Sequence, residues 1–148
     1  MQKVLCIYHG DCIDGFASAW IVNEYFGGNC EFVAGHYGSQ LPDVTNRDVY
    51  MVDFTARIDV ILQVARQARG LTIIDHHETA IQDLQDLPFN VHTIFEESEC
   101  GATLAWKYLF PQRSIPKLLE HIKDFDLQTF ELPHSKSIVE ALLSQPFA

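Results

Sequence analysis

Short apolar runs alternate with longer amphipathic stretches almost from the first residue, and this alternation is the strongest constraint on the fold. Each apolar run has the length of a buried strand, whereas the longer stretches have the period of a helix that packs through one face. The alternation predicts an α/β fold, in which helices flank both faces of a mostly parallel sheet. We expect strands over residues 3–8, 31–34, 49–54, 71–74 and 90–94, and helices over 16–25, 58–69 and, as a short turn, 79–84.

The sequence becomes helical after the fifth expected strand. We predict a helical C-terminal segment with helices over 102–109, 115–124 and 137–144. A chain of 148 residues, of which 47% are hydrophobic, fits one domain over residues 1–148 with its own core.

The composition narrows the possible partners and the compartment. Twenty acidic and ten basic residues give a net charge of −10, which argues against extended binding to long duplex nucleic acid. The sequence contains no apolar stretch of membrane-spanning length, and its first residues lead into a strand instead of a signal peptide. We therefore expect a cytoplasmic protein whose cysteines are free thiols, since they form no CxxC pair: Cys6, Cys12, Cys30 and Cys100.

Acids and imidazoles follow three of the expected strands at the point where each strand ends. They are His9, Asp11, Cys12 and Asp14 after the first strand, Asp53 at the end of the third, and Asp75, His76 and His77 after the fourth. Because the carboxyl ends of parallel strands meet at one edge of a sheet, we expect these side chains to converge. Carboxylates mixed with imidazoles suit Mn²⁺, Fe²⁺ or Zn²⁺ better than Ca²⁺. The ligand supply exceeds the needs of one ion, so the pattern favours a two-metal centre suited to phosphoryl displacement.

Each of these features also has a structural interpretation when it is taken alone. His9 can be a turn residue, Asp14 a helix cap and Asp53 a cap of the helix that follows it. Asp124 and Asp126 lie where a predicted helix ends, which is unfavourable for the helix dipole unless a cation compensates. The helix that begins near residue 16 offers free amides that suit a phosphate oxygen.

Several blocks of the sequence resemble the motifs of the DHH phosphoesterase superfamily, and together they cover nearly the whole chain. The triplet Asp75-His76-His77 is the one after which that superfamily is named. The other blocks are residues 8–17, 37–38, 52–54, 100–106 and 124–127.

This resemblance implies a two-metal hydrolase, usually Mn²⁺-dependent, that acts on phosphodiester or phosphoanhydride bonds. One ion is held by His9 and a neighbouring loop residue, and Asp53 bridges it to the second ion. The implied metal ligands are His9, Cys12, Asp14, Asp53, His76 and Asp124.

Two further residues of the triplet have implied catalytic roles. His77 is a substrate-side acid or a hydrogen-bond donor to the phosphate. Asp75 orients the imidazoles and fixes their tautomers.

The chain departs from the superfamily pattern in three places. Cys12 occupies a ligand slot in which most branches carry Asp, and Asp11 lies one residue away. Either the Cys12 thiolate binds the ion, which favours Zn²⁺ or Fe²⁺ over Mn²⁺, or Asp11 reaches it, or the ion is weakly held. Glu78 stands where this subgroup often carries Lys. The chain ends at Ala148, where the superfamily's second, substrate-binding domain usually begins.

Three functions follow as hypotheses from this sequence. The first is a metal-dependent phosphoesterase that hydrolyses small nucleotides or short oligonucleotides, with substrate held across a homo-oligomer if no second domain is present. The second is a catalytically weak metal- or nucleotide-binding module or a truncated remnant. The third is a pyrophosphatase-like enzyme, which has less support because Arg57 is the only basic residue expected near the site.

Overall fold

Five parallel strands form one sheet, in the order β2-β1-β3-β4-β5, in the computed structural model of the chain. The structure describes residues 3–78 and 86–144, so the short helix expected over 79–84 lies outside the described residues. The strands are β1 (Val4–His9), β2 (Glu31–Gly35), β3 (Asp48–Val52), β4 (Gly70–Asp75) and β5 (Val91–Phe95).

Helices cover both faces of this sheet, as the alternation predicts. Among the helices of the described residues, the second packs against one face and the other four lie on the opposite face. The helices are α1 (Ile13–Tyr25), α2 (Ile58–Gln67), α3 (Gly101–Leu109), α4 (Lys117–Asp126) and α5 (Ser135–Leu143). The α/β class and the helical C-terminal segment are therefore confirmed.

Two apolar cores lie on either side of the sheet, because successive side chains of a strand point to opposite faces. In β4, Ile73 joins the core beneath α2, and the next residue, Ile74, joins the core beneath the other helices. In β1, Ile7 and Cys6 divide in the same way, and all four side chains are fully buried. Burial on both faces is the reason why these strands read as continuous apolar runs.

The strand order places a topological switch point between β1 and β3. From β1 the chain moves to β2 on one side, then crosses to β3 on the other, so the two strands diverge at their carboxyl ends. Their register aligns Tyr8 with Val52, and Val52 with Ile74 of the next strand. The residues that follow Tyr8, Val52 and Ile74 therefore lie side by side at one edge of the sheet. They are polar, and we call them the polar row.

All five described helices have bounds that differ from those expected by up to three residues, and two of these differences affect the sheet edge. The first helix begins at Ile13 instead of residue 16 and therefore includes Gly15. The helix passes so close to the end of β1 that residue 15 has no room for a side chain. An added Cβ at Gly15 would lie 2.1 Å from the carbonyl oxygen of His9. The fourth helix continues to Asp126 instead of ending at residue 124. The start of the first helix and the end of the fourth helix determine which of their acidic side chains face the sheet edge.

The helices in the described part of the chain are short. The longest is α1, with 13 residues. None of them is long and apolar enough to cross a bilayer, which takes about 20 apolar residues.

Candidate metal centre

Asp53 lies at the centre of the polar row, directly after β3. Its backbone has φ of 53°, in the left-handed region, and its N–H donates a hydrogen bond of 2.8 Å to the carbonyl of Ile74. A left-handed backbone costs a residue other than glycine about 1 kcal/mol or more, and such strained residues are often found at functional sites. Its buried carboxylate directs Oδ1 towards His76, at 3.0 Å from Nε2, and Oδ2 towards His9 and Cys12.

The first group of potential ligands, which we call subsite 1, consists of His9, Cys12 and Asp53. One donor atom from each residue lies within 4.8 Å of the others. The Oδ2 atom of Asp53 is 3.6 Å from Nδ1 of His9 and 3.7 Å from Sγ of Cys12. Donors bound at about 2.0–2.3 Å from one ion lie roughly 3–4 Å apart, so these separations fit a shared ion. The Nδ1 atom of His9 is buried without a hydrogen-bond partner among the described residues.

The second group, subsite 2, consists of Asp14, His76 and Asp126. Their donor atoms also lie within 4.8 Å of one another. The Nε2 atom of His76 is 3.4 Å from Oδ2 of Asp14 and 3.6 Å from Oδ2 of Asp126. Because Oδ1 of Asp53 is only 3.0 Å from the same nitrogen, Asp53 belongs to the surroundings of both subsites.

The N-terminus of α3 holds Asp14 in place. The backbone N–H groups of Gly101 and Ala102 donate hydrogen bonds of 2.8 Å and 2.9 Å to its two oxygens. The first amides of a helix lack intrahelical acceptors and carry partial positive charge, so a carboxylate is favoured there. Gly101 also approaches Asp53, since an added Cβ would lie 2.7 Å from the Cβ atom of Asp53. The sequence block around residue 101 therefore fixes two of the acids.

Burial and mutual repulsion dominate the electrostatics of subsite 2. Burial, assisted by the charge of Asp14, raises the pKa of Asp126 to about 6. Burial also opposes the charged forms of His76 and Asp53, but contacts with opposite charges outweigh it. Asp14, followed by Asp53, raises the pKa of His76 to about 10, and His76, followed by His9, lowers the pKa of Asp53 to about 2. Without a metal a proton on His76 supplies the positive charge, and a bound metal has to displace that proton.

Asp75 is buried and organises the residues that follow β4. Its Oδ2 atom accepts a hydrogen bond of 2.6 Å from the hydroxyl of Thr55, and Oδ1 accepts one of 2.8 Å from the N–H of His76. Oδ1 also lies 2.6 Å from Nδ1 of His77. A carboxylate only accepts, so Nδ1 of His77 carries the proton and its Nε2 is left free for another partner. This hydrogen bond raises the pKa of His77.

Cys12 precedes the first residue of α1 and faces the start of that helix. Burial raises the pKa of its thiol to about 12, although the amides of Gly15 and Asp14 stabilise the thiolate and oppose this rise. Asp11 is exposed and belongs to none of the ligand groups found among the described residues.

Asp124 is the one proposed ligand that lies outside these groups. It is buried, and its Oδ1 atom accepts hydrogen bonds of 2.7 Å from the Thr129 hydroxyl and 2.7 Å from the Glu131 N–H. The N–H of Leu132 donates to Oδ2 at 3.1 Å. Although burial opposes its charge, hydrogen bonds from Ser135, Thr129 and the backbone lower the pKa of Asp124 to about 2. Asp124 therefore anchors the loop after α4.

The structure thus brings together most of the proposed ligands and adds one that the proposed set omits. Asp126 lies at the last position of α4 and reaches His76, whereas Asp124 is turned towards the following loop. The sequence places both acids near the end of a helix. Which of them is the metal ligand depends on the last residue of that helix, which lies two positions later than expected. The residues brought together in the two subsites are His9, Cys12, Asp14, Asp53, His76 and Asp126. Asp75 and His77 form a further group of potential ligands with Asp53 and His76.

Comparison with known proteins adds a distant relative. No protein-family profile matches the chain. The chain is similar to an uncharacterized protein of Acanthamoeba polyphaga mimivirus, with 29% identity over 162 aligned residues. The alignment covers 99% of this chain and 38% of the viral protein. The chain therefore spans well under half the length of this relative, whose name states no activity.

The variant Gly101→Ala tests the contact between α3 and Asp53. The added methyl group displaces Asp53 or the start of α3, so we expect a loss of about 1–3 kcal/mol of stability and weaker Mn²⁺ binding. Urea unfolding and calorimetry measure the two effects. Gly70→Ala is the matched control, because its added Cβ meets only the Asn90 carbonyl oxygen at 3.8 Å. Equal behaviour of the two variants would contradict the proposed contact.

Exchanging each acid of α4 separates metal binding from loop anchoring. We expect Asp126→Asn to weaken Mn²⁺ binding measured by calorimetry, because it removes a carboxylate from subsite 2. Asp124→Asn should retain the Mn²⁺ stoichiometry but lower the urea midpoint at pH 7, because it replaces an acceptor of four hydrogen-bond donors. Reversed outcomes would return the ligand role to Asp124.

The stability effect of Asp124 should also depend on pH. Its pKa falls from 3.8 to about 2 in the folded protein, so the ionised carboxylate stabilises the fold above about pH 4. This contribution disappears as the pH falls through 2. The difference in urea midpoint between the wild type and Asp124→Asn should therefore shrink below about pH 4. A difference that is constant from pH 7 to pH 3 would argue against a role for the charge.

Proposed function

We propose that this chain is a DHH-type, metal-dependent phosphoesterase. Its substrates are small nucleotides or short oligonucleotides, whose phosphodiester bonds it hydrolyses by a two-metal mechanism. The resemblance of the sequence blocks to DHH motifs and the convergence of their residues at one sheet edge support this proposal. The ion pair consists of divalent transition metals, of which Mn²⁺ is the one implied by the resemblance.

One observation carries the proposal: the two oxygens of Asp53 point to two different sets of ligands. Oδ2 is directed to the imidazole and thiol of subsite 1, and Oδ1 to the imidazole of subsite 2. A carboxylate in this position is suited to bridge two ions. A carboxylate with a purely structural role has backbone amides as its partners, as Asp124 has in the N–H groups of Glu131 and Leu132.

The chemistry of the reaction divides between the ions and the protein. When bound, two ions activate a water molecule and stabilise the charge that develops on a phosphoryl group during in-line displacement. The residues of the two subsites hold this centre, while the N-terminus of α3 fixes Asp14 and the Ile74 carbonyl fixes Asp53. This rigidity keeps the ligand positions independent of substrate.

His77 is the protein group best placed to serve the substrate. Asp75 holds the proton on Nδ1, so Nε2 faces outward, and the side chain is 44% exposed. The ring lies 6.2 Å from that of His9 and 4.3 Å from that of His76, measured between centroids. An imidazolium here donates a hydrogen bond or a proton to the phosphate or its leaving oxygen. The raised pKa of His77 favours the protonated form that this role requires.

An exposed aromatic side chain beside the metal centre supports the proposal that the substrate contains a nucleobase. Tyr37 is 70% exposed, and its ring packs against Phe54, the residue after Asp53, at 5.4 Å between centroids. Partial burial and the nearby charge of Asp75 raise the pKa of the Tyr37 hydroxyl. An aromatic face at the mouth of a phosphoesterase site is suited to stack on a nucleobase.

The variant Asp53→Asn tests the bridging role. We expect Mn²⁺-dependent cleavage of bis-p-nitrophenyl phosphate to fall by about a hundredfold or more, because a group that organises the developing charge is lost. Asp48→Asn is the matched control: Asp48 begins the same strand, at the opposite edge of the sheet, and pairs there with Arg69.

Turnover near the wild-type rate in Asp53→Asn would contradict the bridge. Tight binding of two ions by the wild type, without cleavage of this substrate or of a dinucleotide, would instead indicate a metal- or nucleotide-binding module. Calorimetry and turnover assays on the same preparation separate these results.

The variant Tyr37→Ala tests the class of substrate. Stacking on one base is worth about 1–3 kcal/mol, so the KM for a dinucleotide should rise about tenfold while kcat changes little. Tyr37→Phe keeps the ring and should retain the wild-type KM. Equal KM values for all three proteins would argue that the substrate base binds elsewhere.

A further inference from the structure

The two subsites have different donor chemistry, although they share Asp53. Subsite 1 combines an imidazole, a thiol and one carboxylate oxygen. Subsite 2 combines one imidazole with the carboxylates of Asp14 and Asp126. Thiolate ligands select thiophilic ions such as Zn²⁺, whereas carboxylates suit harder ions such as Mn²⁺.

The geometry at Cys12 indicates that its sulfur belongs to the centre and has no separate structural task. Cys12 and Cys100 occupy the same position, directly before the first residue of α1 and of α3. The sulfur of Cys100 lies 3.5 Å from the hydroxyl of Thr103, within the first turn of its own helix. The sulfur of Cys12 instead lies 3.7 Å from Oδ2 of Asp53, which is 41 residues away in the sequence.

The backbone next to Cys12 excludes Asp11 as the alternative ligand. Asp11 has φ of 56°, in the left-handed region, and is exposed. Cys12 follows with an extended backbone and is partly buried. This reversal turns residue 11 to solvent and residue 12 to the sheet edge, beside Nδ1 of His9. That nitrogen lies 3.6 Å from Oδ2 of Asp53 and has no hydrogen-bond partner among the described residues.

We propose that the centre binds two different metals, with a thiophilic divalent ion, Zn²⁺, on His9, Cys12 and Asp53, and Mn²⁺ on Asp14, His76 and Asp126. This inference rests on the proposed metal centre, but it does not depend on turnover. Cys12 is then the residue that determines which metal subsite 1 accepts.

Titration of the metal-free protein with Co²⁺ tests this proposal through an optical signal. A cobalt–thiolate bond gives an intense charge-transfer band in the near ultraviolet, which nitrogen and oxygen ligands do not produce. We expect this band in the wild type. Added Zn²⁺ should abolish it, whereas the same concentration of Mn²⁺ should leave it. The metal content after exposure to one equivalent of Zn²⁺ and an excess of Mn²⁺ should be one of each ion per chain.

Three variants show which sulfur is responsible. Cys12→Ser should lose the band and still fold, as judged by circular dichroism. Cys12→Asp should also lose it, and its preference for Zn²⁺ over Mn²⁺ in subsite 1 should fall about tenfold or more, since even outer-sphere changes cost 10–100-fold in metal affinity. Cys30→Ser is the control and should keep the band, because Cys30 lies at the start of β2 with its sulfur on the Glu31 carbonyl.

The outcomes distinguish this inference from the proposed function. Binding of two Co²⁺ ions without the band, or a band that persists in Cys12→Ser, overturns the role of Cys12 and leaves the phosphoesterase proposal intact. Uptake of two Mn²⁺ ions per chain in the presence of one equivalent of Zn²⁺ overturns the mixed centre. Failure to bind any of the three metals overturns both proposals.

Discussion

Repulsion among buried and partly buried carboxylates around one imidazole nitrogen is the constraint on which the rest of the site depends. Asp14, Asp53 and Asp126 each place an oxygen within 3.6 Å of Nε2 of His76. Removing a charge from water costs several kcal/mol even after the protein relaxes, so this cluster requires positive charge at its centre. The helix terminus at Asp14 supplies part of it. The remainder comes from a proton on His76 or from a metal, which couples metal binding to stability.

Close backbone approach makes this concentration of charge possible. The switch point between β1 and β3 brings several chain segments to one edge of the sheet, but side chains on all of them would keep these segments apart. Gly15 lets α1 pass the end of β1, and Gly101 lets the start of α3 reach Asp53. The acids can then be held by backbone groups, and their positions do not depend on flexible side chains.

The sequence predicts the strands and their polar ends well, because both follow from local patterns. Runs such as residues 71–74 identify the strands, and the parallel register then places the residues after Tyr8, Val52 and Ile74 side by side. The choice between Asp124 and Asp126 cannot be made in this way. It depends on where α4 ends and on the amides of the loop that follows it. Both are set by tertiary contacts, which the local hydrophobic pattern of the sequence does not determine.

The hydrogen bonds of Asp75 bear on whether the centre serves storage or chemistry. The two subsites do not include His77, although one of its donor atoms lies close enough to those of Asp53, Asp75 and His76 to join a metal site. The buried carboxylate of Asp75 fixes the tautomer of His77 through one oxygen and accepts a hydrogen bond from Thr55 on the other. A buried carboxylate needs such partners to offset its desolvation, and the half-exposed His77 gains an oriented Nε2 from the arrangement. An imidazole with a fixed tautomer beside two metal subsites suits the role that the proposed hydrolysis assigns to His77, which is to donate to the phosphate.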